Sequence, residues 1–188
     1  MSVTPLVIRL RRHGRALGTR ELGASVAKEI EQAAHEAPAV IVDFAGVRIA
    51  SSPFLDEVAR ALLAAIAGRR QRYVLLASLN SDLADTMELV LGRLGGTLTV
   101  VQDEQLRLLG GKQHLQETLT EAQELGTFTA AELAERLAVK LPNLHQRLIQ
   151  LERAGAITRE DDPKALRGRR LLLETAKIGE VEVALDHR

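Results

Sequence analysis

Two groups of side chains have types and spacing that could do chemistry. The first lies between Asn143 and Gln150, where Asn143, His145, Gln146, Arg147 and Gln150 alternate with Leu144, Leu148 and, just beyond, Leu151. On a helix the leucines would form one buried ridge and leave amide, imidazole and guanidinium groups in water. Asn and Gln amides can pair two-pronged with adenine, and Arg with guanine, so such a face suits base edges in a major groove. Further on, Lys164, Arg167, Arg169 and Arg170 surround Gly168, and cations of this kind hold phosphates. Lys140 to Arg170 contains eight basic and four acidic residues, hence a local charge of +4; from Lys112 to the end there are 12 basic against 13 acidic, hence −1. The plainer reading is a solvated helix face, and Glu160, Asp161 and Asp162 would repel phosphate beside the cations.

The second group is Asp43, Ser51, Ser52, Asp56 and Glu57, with Thr19 and Arg20 upstream. Val40-Ile-Val-Asp43-Phe44 reads as a buried strand ending in an acid, followed by a turn at Gly46 and a helix opening at the serines. Ser52 suits the helix cap, Pro53 the first position, and Asp56 and Glu57 a first turn in which the helix dipole favours anions. A phosphate on a hydroxyl here would be stabilised by the same dipole. The purely structural alternative is a cap, with Asp43, Thr19 and Arg20 in an internal polar network.

These groups need elements to hold them. Val7–Leu10, Ala39–Val42, Tyr73–Leu79 and Thr97–Val101 read as strands, the middle two as continuous apolar runs of the fully buried kind. Between them, Thr19–Ala37, Pro53–Ala67 and Ser81–Leu94 carry helical patterns, the last stopped by Gly95-Gly96. The alternation predicts an α/β layer with a four-stranded, mostly parallel sheet. Gly110-Gly111 marks the expected boundary between a unit over 1–109 and a second, α+β unit over 112–188. There, helices are expected over Gln113–Leu125, from Thr129 onward, and over Pro142–Ala154. Thr129 with Glu132 spells a capping box, and Gly155 is the stop. Ala156–Arg159 and Arg170–Glu174 then read as a hairpin, and Val181–Leu185 as an added strand.

Composition narrows the function. With 25 basic and 25 acidic residues the net charge is zero, so a nucleic-acid surface must be a local patch. There is no cysteine, which rules out disulfides, thiolate metal sites and a cysteine nucleophile. The five histidines are scattered, and no metal site or cofactor is expected. No glycine-rich phosphate loop follows a strand, and no Gly-x-Ser-x-Gly or His-Glu-x-x-His motif occurs, so catalysis is not expected. Apolar runs are too short to span a bilayer, and the N-terminus lacks the order of a signal peptide, so a cytoplasmic protein is expected.

The stretch Leu151-Glu-Arg-Ala-Gly155-Ala-Ile157-Thr-Arg159, with the leucine spacing before it, resembles the winged helix-turn-helix regulators over roughly residues 112–175. That resemblance implies transcription regulation by binding double-stranded DNA as a homodimer. Asn143, His145, Gln146, Arg147 and Gln150 would then lie on the recognition helix, and Lys164, Arg167, Arg169 and Arg170 on the wing. Asp43-Phe-Ala-Gly46-Val47, Ser51-Ser52 and Phe54-Leu-Asp56-Glu57, with Thr19-Arg20, resemble the STAS-like domain family of bacteria over about residues 6–102. This second resemblance implies partner switching: a protein partner, a kinase or a regulator, docks at the Ser51-Ser52 loop, and Ser51 matches the serine on which a partner kinase phosphorylates the antagonists of anti-sigma factors. Those antagonists usually carry Asp before the serine, where this chain has Ala50. The alternative is a non-catalytic adaptor in which both halves dock proteins or dimerise.

Overall fold

A computed structural model describes residues 5–68, 73–103, 105–161, 171–176 and 185. In chain order the first half runs β1 (Leu6–Arg9), a single 3-10 turn (Leu10–His13), β2 (Ala16–Leu17), α1 (Arg20–Glu36), β3 (Ala39–Asp43), β4 (Ile49–Ala50), α2 (Ser52–Ala67), β5 (Tyr73–Ala77), α3 (Ser81–Leu94), β6 (Leu98–Gln102) and β7 (Gln105–Leu109). The second half runs α4 (Gln113–Leu125), β8 (Thr127–Phe128), α5 (Ala130–Arg136), α6 (Leu141–Arg153), β9 (Ile157–Asp161) and β10 (Leu171–Thr175).

The main sheet has five strands in the order β1-β3-β5-β6-β7, parallel up to β6 and antiparallel at β7. Four strands were expected. The fifth is β7, folded back on β6 through a turn in which Asp103 takes φ +51. Because the parallel strands follow one another in a single direction, crossovers of one hand all fall on one face. The buried side chains of α1, α2 and α3 accordingly share one core with Ile8, Val40, Val42, Val74, Leu76, Leu98 and Val100.

Such a sheet exposes a second apolar face unless something covers it. Ile41, Leu75, Ala77 and Leu106 point that way, and each is only 1% exposed. Their cover is the second half of the chain: Leu115, Leu119, Phe128, Leu144, Leu148, Leu151 and Ile157 join them in a second core. Polar contacts fix this packing. Thr99 Oγ1 donates to Ala154 O at 2.8 Å, Tyr73 Oη donates to Glu174 O at 3.1 Å, and Thr158 Oγ1 donates to Tyr73 Oη at 3.2 Å. Edge strand β7 is capped by amides of α4, a device that removes an open edge. Gln116 accepts from Leu108 N and donates to Leu106 O, and Gln123 accepts from Leu106 N.

In the second half β8, β10 and β9 form a three-stranded antiparallel sheet in that order. Thr129 caps α5 in a complete capping box with Glu132. The turn into α6 is sharp, with Ala138 at φ +52 and Val139 N bonded to Ala134 O. α6 ends in a Schellman motif, in which Ala156 N donates to Leu151 O and Gly155 N to Glu152 O with Gly155 at φ +71. The strand expected over Val181–Leu185 lies outside the described residues except for Leu185, whose carbonyl accepts from Arg9 Nη2.

Candidate functional site

The serine loop is built where parallel strands end. Beyond β1 and β3 the chain forms β2 and β4, which pair with each other through Ala16 with Ile49 and Leu17 with Ala50. This small ladder brings the start of α1 beside the start of α2. Thr19 Oγ1 caps α1 by accepting from Leu22 N at 3.2 Å. Ser51, not Ser52, caps α2: its Oγ accepts from Phe54 N at 3.3 Å and donates to Gly18 O at 2.7 Å. Ser51 N also donates to Leu17 O. The helix therefore begins one residue earlier than the Ser52 cap implied, with Pro53 at its second position.

That earlier start moves Asp56 and Glu57 beyond the first turn, which contains no acid. Instead of complementing the dipole, they form ion pairs: Asp56 with Arg60 at 2.8 Å, Glu57 with Arg20 at 3.0 Å. The hydrogen bond that Arg60 Nε donates to Asp56 Oδ2 holds the guanidinium above its usual pKa. Asp43 is 5% exposed, and its Oδ1 accepts from Ala45 N at 2.9 Å, closing the turn after β3. The network expected to link Asp43 with Thr19 and Arg20 is replaced by three separate devices, a turn at Asp43, a cap on α1 at Thr19 and a clamp of Arg20 on Glu57. Ser51 and Ser52 are both half-buried.

These bonds make Ser51 the stronger stabiliser of the pair. Ser51→Ala is expected to cost about 1–2 kcal/mol, because it removes the cap on Phe54 N and the donor to Gly18 O. Ser52→Ala is expected to stay within about 0.5 kcal/mol. Urea midpoints of the two variants measure the difference, and equal midpoints would contradict the assignment.

On α6 the leucine ridge is buried as the spacing requires: Leu144, Leu148 and Leu151 are 1% exposed or less. Asn143, His145, Gln146 and Gln150 are exposed, and Gln150 Nε2 donates to Gln146 O within the helix. Arg147 departs from this face. It is half-buried, and its Nη1 donates at 3.1 Å to Thr118 Oγ1 of α4. Lys140 and Arg153, at the two ends of α6, are exposed and make no ion pair among the described residues. Arg136 of α5 is clamped by Glu121 and Glu124 of α4. Lys164, Arg167, Arg169 and Arg170 lie outside the described residues, between β9 and β10. No cluster of metal-binding side chains occurs among the described residues, and no described helix is long and apolar enough to cross a membrane.

No curated protein and no solved structure matches the chain. One family model does: residues 23–69, from within α1 through α2, match a STAS-like domain of unknown function (DUF4325). The matched stretch contains Asp43, Ser51, Ser52, Asp56 and Glu57, so the serine loop sits inside a STAS-like segment on a mixed, mostly parallel α/β sheet.

Proposed function

We propose that the chain is a DNA-binding transcriptional regulator. Its STAS-like half, 1–109, docks a protein partner at the Ser51-Ser52 loop. Its second half, 112–188, is a winged helix-turn-helix that reads DNA through α6. The observation that carries this reading is the solvent face of α6, where Asn143, His145, Gln146 and Gln150 project from a helix whose leucines are buried. The order α4, β8, α5, α6, β9, β10, with β10 between β8 and β9, supports it, since it supplies a paired strand at the base of the hairpin as well as a helix-turn-helix. The amides would read bases, and the cations between β9 and β10 would hold phosphates.

A titration of labelled genomic fragments by polarisation tests this. If Lys164, Arg167, Arg169 and Arg170 supply about four phosphate contacts, raising salt from about 50 to about 200 mM weakens binding about 100-fold. Arg169→Ala with Arg170→Ala lowers the salt slope by about two, and Gln146→Ala costs about 1–3 kcal/mol on the preferred sequence alone. The adaptor reading draws on the Arg147 guanidinium, which is turned back onto Thr118 rather than offered to guanine. Absence of binding to any fragment at low salt would decide for it.

A further inference from the structure

Several surface charges are neutralised within the chain, among them Arg20 by Glu57 and Arg60 by Asp56. Two neighbouring surfaces are not, and they carry opposite signs. Residues 10–20 and 44–55 include no acid. Within them Arg11, Arg15 and Arg48 are exposed and make no ion pair among the described residues. Backbone bonds draw these arginines together. Arg15 O accepts from both Arg48 N and Ile49 N, and the Arg11 side chain lies against Gly46, where a Cβ would stand 2.9 Å from Arg11 Cδ. In their midst Ile49 is 67% exposed.

The second surface is the outer side of α3. Residues 78–92 include no base. Asp82, Asp85 and Glu88 are exposed there without an ion pair among the described residues. Leu89 stands one turn after Asp85 and is 71% exposed, the highest value among the large apolar side chains described. The two surfaces adjoin. α3 packs against β4, and Asn80, the cap of α3, donates through Nδ2 to Arg48 O at 3.1 Å.

We infer that this joined surface binds a second copy of the same chain about a two-fold axis. The basic patch around Ile49 of each protomer receives the acidic patch around Leu89 of the other. A two-fold interface must be self-complementary, because one surface meets itself. Here that surface carries one exposed aliphatic within a basic ring and one within an acidic ring, side by side. Pairing buries both aliphatics and neutralises both rings, while the opposed charges fix the register. The net charge of zero offers no long-range repulsion to the approach. The inference does not depend on DNA binding and is tested without DNA.

Sedimentation equilibrium of the full chain at low salt reads the outcome directly. The wild type is expected to dimerise at micromolar concentrations, less so as salt rises. Arg48→Glu and Asp85→Arg alone each place like charges opposite one another and raise the dimer dissociation constant about 100-fold. An equimolar mixture of the two single variants restores opposite charges at both facing pairs, so it regains the dimer. Leu89→Ser weakens the dimer without a salt dependence of its own. All these positions are exposed, and urea midpoints unchanged at concentrations well below the dimer dissociation constant confirm that the variants fold. A wild type that stays monomeric, a dimer indifferent to both charge reversals, or a mixture that fails to reassociate overturns the inference.

Discussion

Gly155→Ala is expected to destabilise the protein by about 3 kcal/mol, and Gly155→Val by more. Gly155 combines two constraints. Its φ of +71 lies in the left-handed region, where a side chain costs about 1 kcal/mol. A Cβ there would also stand 2.9 Å from Val74 O and 3.2 Å from Val74 N. Both are backbone atoms of β5, held between β3 and β6, and cannot swing aside as a side chain could. The junction of α6 and β9 must move instead. That motion breaks the buried bond from Thr99 Oγ1 to Ala154 O and leaves its groups unpaired, at about 1–3 kcal/mol. Gly92 is the control, since nothing lies within 4 Å of its Cβ position on the exposed side of α3. Gly92→Ala should therefore stabilise by about 0.5–1 kcal/mol through helix propensity. Urea denaturation reads both, and a loss under about 1 kcal/mol at Gly155 would show that the two halves do not press together there.

That glycine illustrates how far the chain could be read before its fold was seen. Its position after a leucine-rich run marks a helix stop, and the Schellman bonds bear this out. Its contact with β5 is a tertiary fact with no local signal. The same division holds elsewhere. Continuous apolar runs identified β3 and β5, because strands buried on both faces show them. They did not reveal that α4 and α6 cover the second face. β7 was missed because Gln105 and Arg107 interrupt the apolar run of this edge strand, which follows β6 with no glycine between them. The capping box at Thr129 was legible because both partners lie within four residues. The ion pair of Arg20 with Glu57 was not, since it spans 37 positions. The cap of α2 was misplaced by one residue because Ser51 and Ser52 are equally able to cap. What decides between them is Gly18 O, brought alongside by pairing of β2 with β4. At α6 the buried and exposed faces followed from spacing alone, while the return of Arg147 to Thr118 required knowing that α4 lies beside it.

The serine loop depends on a second close approach, and Gly23→Val is expected to cost about 3 kcal/mol while loosening that loop. Gly23 completes the first turn of α1, its N–H donating to Thr19 O. A Cβ there would meet Phe54 O at 2.9 Å, Glu57 Cβ at 3.0 Å and Phe54 Cα at 3.1 Å. Two effects compete. Replacing a helical glycine with alanine gains about 1 kcal/mol of propensity, and forcing a side chain into a filled contact costs about 1–3 kcal/mol. For Ala the two nearly balance. For Val, with two more carbons and a stiff χ1, the clash wins. α1 must then move away from α2, which stretches the Ser51 Oγ bond to Gly18 O and the pair of Arg20 with Glu57. Amide exchange resolves the local from the global effect. The capped donors Phe54 N and Leu22 N should exchange faster in Gly23→Val than the overall loss of stability accounts for, whereas amides of α6 should change only by that loss. Uniform acceleration across the chain would mean that the approach of α1 to α2 supports the fold without governing the geometry of the serine loop.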